Sequence, residues 1–181
     1  DAGARSFSTK ETPIHSPDDL TGLKLRVPND QMSVSMANTL GASATPMAFS
    51  ELYTALQQNV VDGAENNITS FVTSNHFEVC KYYTFDEHTM IPDVVIIGTK
   101  FWDKLSDQEK EWLLAASKES VISQKRYWKE TIANQMKMLK ENGVEFTYPD
   151  KAPFQTKSRP VMDKLMKDPK MKAIIDKINA N

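Results

Sequence analysis

From Glu109 to Glu141 the chain contains neither proline nor glycine, and this unbroken stretch constrains the fold more than any other. Trp112, Ala115, Ala116, Ser120, Ser123, Tyr127 and Ile132 keep helical spacing through it. Just ahead, Ser106-Asp107-Gln108-Glu109 has the Ser-x-x-Glu form, in which the hydroxyl accepts from a free backbone N–H and the glutamate reaches back to the cap. Asn142-Gly143 ends the pattern. At ~1.5 Å per residue the helix is expected to be roughly 50 Å long, far beyond the ordinary globular helix. Such a helix is expected to span two lobes rather than cover one.

The 181-residue composition as a whole is that of a globular chain, with 40% hydrophobic and 25% charged residues, so a sizeable core is expected. A formal charge of -2 supplies no electrostatic footprint for nucleic acid or for an anionic membrane, and neither partner is expected. The single Cys80 excludes an intrachain disulfide and a multi-cysteine zinc cluster, but says nothing about compartment. No apolar run approaches the ~20 residues that cross a bilayer. The chain opens at Asp1 rather than at an initiator methionine, an opening expected of a processed protein or of a fragment.

Ala4 to Thr12 is expected to be extended, and Asp18-Asp19-Leu20 to form one helical turn after the Pro13 to Pro17 linker. Leu23, Leu25 and Val27 alternate with polar residues, the period of a half-buried strand that Gly22 opens and Pro28 closes. A helix is expected over Asp30 to Leu40, stopped by Gly41, and Ala44 to Met47 as a connector. Ser50 is expected to cap a helix over Glu51 to Gln58 that buries Leu52, Ala55 and Leu56. The Asp62-Gly63 turn, then Ala64 to Asn67, leads into a helix carrying Ile68, Phe71 and Val72. Strands are expected over Val79 to Phe85 and Asp93 to Thr99, the latter buried on both faces by Val94-Val95-Ile96-Ile97, with Asp86 to Thr89 as a polar corner. After a short strand over Val144 to Tyr148, the tail reads as two lysine-rich amphipathic helices broken near Pro160 and Pro169.

The chemistry-bearing residues support no common catalytic motif. Cys80 lies in an apolar run, and Gly-x-Ser-x-Gly is absent. Glu87 and His88 diverge if extended, which argues against a metal site, and the six scattered glycines form no phosphate loop, so no cofactor is expected. What recurs is polar residues at strand ends: Arg5, Arg26 with Asn29, Asn66 and Glu87-His88, with Phe49 as an apolar wall. That is the equipment of a small-molecule pocket. Arg26 stands at the carboxyl end of its strand, where a guanidinium fork can hold a carboxylate or phosphate, although spacing alone favours a surface or ion-paired arginine.

Three ordered blocks carry a family resemblance: Gly22-Leu23-Lys24-Leu25-Arg26-Val27-Pro28, Gly41 through Gln57 around Pro46-Met47-Ala48-Phe49-Ser50-Glu51-Leu52, and Val61-Asp62-Gly63-Ala64-Glu65-Asn66. Together they resemble the extracytoplasmic solute receptors of TRAP transporters, the DctP-type substrate-binding proteins. The resemblance implies an α/β periplasmic-binding-protein-like (type II) lobe with a long inter-lobe helix, and a non-enzymatic, periplasmic receptor that hands an organic acid to TRAP membrane subunits. It implies Arg26 as carboxylate partner, Arg5 as a supporting arginine, Asn29 and Asn66 as polar pocket positions, Phe49 as an aromatic one, and His88 near the ligand. Asp1 through Phe7, Glu65-Asn66-Asn67 and Glu87-His88 look most like the sugar-acid branch, so a uronate such as glucuronate or galacturonate is expected.

By the same resemblance the family's N-terminal lobe is expected to be largely absent from this chain, which looks like a fragment beginning just before the second lobe. Residues 3–91 and 132–181 are expected to form the second lobe, with 92–131 completing the first. The apolar strand left without neighbours then predicts dimerisation, rearrangement or crystal pairing of the fragment. Two other readings are a ligand-sensing module of the same fold and a sugar-acid enzyme using His88 and Glu87 as an acid–base pair.

Overall fold

The computed structural model describes residues 3–180, so Asp1 and Ala2 of the sugar-acid-like opening and Asn181 of the expected second lobe lie outside it. The elements are β1 (Ala4–Thr9), β2 (Lys24–Val27), α1 (Gln31–Leu40), β3 (Ser43–Pro46), α2 (Leu52–Gln57), β4 (Gly63–Asn66), α3 (Ile68–Thr73), β5 (Tyr82–Met90), α4 (Thr99–Trp102), α5 (Asp107–Glu141), β6 (Glu145–Thr147), α6 (Ala152–Leu165) and α7 (Pro169–Asn179). Single 3-10 turns cover Pro17–Leu20, Phe49–Glu51 and His76–Glu78. The six strands form one sheet in the order β3-β2-β4-β1-β5-β6. β1 is inserted antiparallel between β4 and β5, while β2 runs parallel to β3 and β4, and β6 parallel to β5.

Both faces of the sheet are covered, as a largely parallel sheet requires. On one face Phe7, Leu25 and Val27 pack with Ile14, Leu20, Met36, Leu40 and Phe154. On the other, Ala64 and Tyr83 pack with Leu52, Leu56, Phe71 and Leu139. Gly63, at the start of β4, lies so close to β1 that a Cβ there would meet the Ser8 carbonyl oxygen at 2.2 Å. The central strand pairing therefore demands glycine at this position.

Several expectations shift. The Ala44 to Met47 connector is a strand, because residues 43–46 pair along β2. The helix expected from Glu51 begins at Leu52 after a 3-10 turn, and Ser50 sits inside that turn instead of capping. The strand expected from Val79 starts only at Tyr82, since the amides of Val79 and Cys80 both donate to the His76 carbonyl. It then continues through the expected corner to Met90. Pro160 lies inside α6 without ending it, whereas Pro169 does start a new helix.

No strand forms over Asp93 to Thr99 among the described residues. Val94, Val95 and Ile96 are 75%, 88% and 85% exposed, with no neighbouring strand to bond their backbone. The long helix has the expected capping box at Ser106 and Glu109. Its C-terminal half packs through Ile132, Met136, Met138 and Leu139 against the core, and Thr69 Oγ1 donates to Gln135 Oε1 at 3.0 Å. Its N-terminal half leaves Trp112, Leu114 and Ile122 exposed.

Replacing Gly63 by alanine is expected to destabilise the protein by about 2 kcal/mol or more, because the methyl meets backbone that cannot swing away. Urea unfolding measures it, and an unchanged midpoint would show that β1 can shift outward without cost.

Candidate anion-binding site

The antiparallel insertion of β1 brings three strand ends to one edge. Because β2 and β4 are parallel, with Arg26 opposite Ala64, their carboxyl ends lie together. β1 runs the other way, so its first residues reach the same edge, with Ser6 opposite Asn66 and Arg5 opposite Thr89. A depression of about 290 Å³ opens there, lined by Arg5, Arg26, Pro28, Phe49, Asn66, Asn67 and Ser70. This is the edge of an open α/β sheet at which ligands generally sit.

Arg26 alternates with Leu25 and Val27, which enter the core on one face, so its side chain leaves on the other. It is 4% exposed. Nε and Nη2 donate to the Met47 carbonyl at 3.1 and 2.9 Å, and Cζ lies 5.6 Å from the centre of the half-exposed Phe49 ring. Among the described residues no carboxylate pairs with it, and three of its five N–H groups remain without a protein acceptor. Burial lowers its pKa, the neighbouring Glu65 charge opposes that shift, and Arg5 adds to it. A buried cation without a counter-ion is costly, and an anion placed in the depression relieves that cost. Asn66 is almost buried; its Oδ1 accepts from the Asn67 amide at 2.8 Å, while its side-chain NH2 has no acceptor among the described residues.

Arg5 differs from Arg26 in being neutralised. Its Nε and Nη2 donate to the two Glu65 carboxylate oxygens at 2.5 and 2.7 Å, and Nη2 also to the Glu65 carbonyl at 3.0 Å. Glu65 faces His88 as well, with Oε2 3.6 Å from Nε2, an ion-pair separation beyond hydrogen-bond length. His88 Nδ1 lies 2.6 Å from Asp86 Oδ2, and its ring stacks on Phe7 with centroids 4.4 Å apart. The side chains of Glu65, His88 and Asp86 are at most 4% exposed, so this is a buried row of alternating charges. Burial alone would push the His88 pKa down, but Asp86 and Glu65 outweigh it and raise it to about 9. Burial likewise works against the Glu65 charge, and the neighbouring His88 and the hydrogen-bonded Arg5 hold its pKa below the ordinary value.

A bulge in β5 makes this row possible. Phe7 pairs with Thr84 and Arg5 with Thr89, so four residues of β5 stand opposite Ser6 alone, with Glu87 in the left-handed region at φ 50°. Asp86 Oδ1 accepts from the Phe7 amide at 3.1 Å, replacing the ladder bond that the bulge removes.

The site residues read from the sequence therefore separate. Arg5, Arg26, Phe49 and Asn66 converge on the depression. Asn29 is exposed beyond Pro28 and does not line it. His88 lies beneath it, drawn inward by Asp86 and Glu65. Glu87 turns away to pair with Lys151, so no Glu87–His88 acid–base pair exists. Sequence reasoning assigned no role to Glu65, Asp86, His76 or the Met47 carbonyl. Only Glu65 carried a signal, as a lone charge in the short run from Gly63 to Asn66.

Comparison with known proteins identifies the family of the chain. Residues 1–168 match the family model described as bacterial extracellular solute-binding protein, family 7. The chain belongs to that family. It is 34% identical, over 98% of its own length and 53% of the relative's, to a solute-binding protein of Chromohalobacter salexigens. It is 38% identical, over 85% of its length and 48% of the relative's, to the sialic acid-binding periplasmic protein SiaP of Vibrio cholerae. A TRAP periplasmic solute-binding protein from Chromohalobacter salexigens, solved with bound D-glucuronate, superposes with a TM-score of 0.93 at 34% identity over 98% of this chain and 60% of that one. One from Sulfitobacter with bound β-D-galacturonate gives 0.90 at 41% identity, over 97% and 59%. The chain thus spans between about half and three-fifths of the length of these relatives.

The buried charge row has a defined pH dependence. Because the folded-state pKa of His88 lies above its ordinary 6.5, its stabilisation is complete below about pH 6.5 and is lost as pH rises through about 9. Glu65 acts in the opposite sense: its contribution is present above about pH 4.5 and is lost as pH falls through its lowered pKa. The stability difference between the protein and a His88→Gln variant is therefore expected to be largest near pH 6 and to shrink towards pH 9.5. Urea unfolding across that range measures it, and a pH-independent difference would mean that His88 is not charged in the fold.

Proposed function

We propose that this chain is the ligand-anchoring part of a periplasmic receptor that binds a sugar acid and delivers it to TRAP-type membrane subunits. The observation that carries this reading is the buried Arg26 guanidinium, without a counter-ion among the described residues, at the edge of the sheet, with Phe49 and Asn66 beside it. The ligand's carboxylate accepts from the N–H groups that Arg26 does not give to Met47, the Asn66 amide donates to a hydroxyl or carboxylate oxygen, and Phe49 offers a flat apolar face to the ring carbons. D-Glucuronate and D-galacturonate are the leading ligands, since relatives bearing them superpose over nearly the whole chain.

In this reading residues 3–91 and 132–181 form one lobe, and 92–131 contribute to a second, which closes the other side of the site. Binding energy then shifts an open–closed equilibrium. The exposed Val94-Val95-Ile96 run and the N-terminal half of α5 belong under that second lobe.

In the full-length protein Arg26→Ala is expected to weaken D-glucuronate binding by at least ~2 kcal/mol, about thirtyfold, and Arg26→Lys also to weaken it because an ammonium lacks the planar fork. Titration calorimetry with D-glucuronate, D-galacturonate and a dicarboxylate control decides the matter. Normal binding by Arg26→Ala would remove Arg26 as the anchor. The 181-residue chain on its own is expected to self-associate through its uncovered apolar segment, and sedimentation velocity showing only monomer would refute that.

A further inference from the structure

Phe49 presents 43% of its surface to solvent and has no strand or long helix of its own to hold it, lying in a single 3-10 turn. Behind it sits His76, only 2% exposed, with ring centroids 5.6 Å apart and planes at 69°. The His76 side chain makes no hydrogen bond to another described residue. Its main chain is firmly placed. Asn75, at φ 56°, turns the chain after α3, and the His76 carbonyl accepts from both Val79 and Cys80 amides. The turns bearing the two rings are also tied together, because Tyr53 in α2, shortly after the Phe49 turn, donates its hydroxyl to Glu78 in the His76 turn.

We infer that His76 is a positioning residue for the anion anchor: its ring backs Phe49, and Phe49 in turn holds the Arg26 guanidinium between its face and the Met47 carbonyl. The inference rests on the reading of Arg26 as the ligand's carboxylate partner. The guanidinium has two fixed contacts, the Met47 carbonyl on one side and the Phe49 ring on another. The carbonyl alone leaves it free to pivot about the shared acceptor. A ring at 5.6 Å limits that pivot only if the ring itself cannot swing outward, and in an exposed 3-10 turn the support for it is His76.

A neutral ring is needed here. An imidazolium at this distance would compete with Arg26 for the same aromatic ring and repel it. Burial first, and Arg26 second, lower the His76 pKa to about 4, which keeps it neutral at ordinary pH. The groups facing it are Arg26 from β2, Phe49 from its turn, and the Tyr53–Glu78 tie at its side.

The test is a double-mutant cycle in the full-length protein, read by calorimetry with D-glucuronate. His76→Ala is expected to weaken binding about tenfold, the combined size of an aromatic pair and a cation–π contact, while His76→Phe stays within about threefold of wild type. In a Phe49→Ala background His76→Ala is expected to have almost no further effect. If His76→Ala does not fold, His76→Gln takes its place. The inference is overturned if the truncated variant binds as wild type, if His76→Phe is as weak as the truncation, or if the loss is the same with and without Phe49. An unaffected Arg26→Ala would instead overturn the assignment of the anchor, so the two failures are distinct.

Discussion

The ion pair between Arg5 and Glu65 is the interaction on which the rest of the site depends. It crosses from β1 to β4 at the point where their strand ends meet, and it removes one of two neighbouring guanidinium charges from the reckoning. Without Glu65, Arg5 and Arg26 would repel each other at a buried edge. With it, Arg26 is left at the depression without a carboxylate partner among the described residues. Removing one partner of a buried pair generally costs on the order of 3–5 kcal/mol, so fold and site share this element.

The same pair explains why β5 tolerates a four-residue bulge. Glu65 needs more positive charge than Arg5 alone supplies in so dry a place, and His88 provides it only because the bulge turns both Asp86 and His88 inward. An ordinary strand would point residues 86 and 88 to one face but could not free the Phe7 amide for the Asp86 carboxylate. Local irregularity is here the means of assembling a balanced row of four charges.

Much of the architecture was legible because it follows from local chemistry. The capping box at Ser106, the stop at Gly41, the strand before Pro28 and the buried stripe of Leu52, Ala55 and Leu56 all rest on short-range signals. The misses arise where a partner decides. Residues 43–46 become a strand because β2 lies beside them, and Val94 to Ile97 do not, because no described strand does. Of the residues that line the depression, Arg5, Arg26, Phe49 and Asn66 were legible from strand ends, a helix start and family motifs. Asp86 and His76 stayed hidden because one depends on a bulge and the other on a left-handed Asn75, neither of which leaves a period in the sequence.

The long helix α5 carries a mechanical consequence. Its last turns are seated in the core by Leu139 and its neighbours, while roughly 25 residues extend beyond that seat. At ~1.5 Å per residue this is a rigid arm of about 37 Å, and a tilt of about 5° at the seat sweeps its far end through about 3 Å. Motions of a fraction of an ångström in the packing around Ile132 and Met136 are thereby magnified severalfold at Trp112. The helix converts changes too small to break a side-chain contact into displacements large enough to be felt by whatever rests on its outer end.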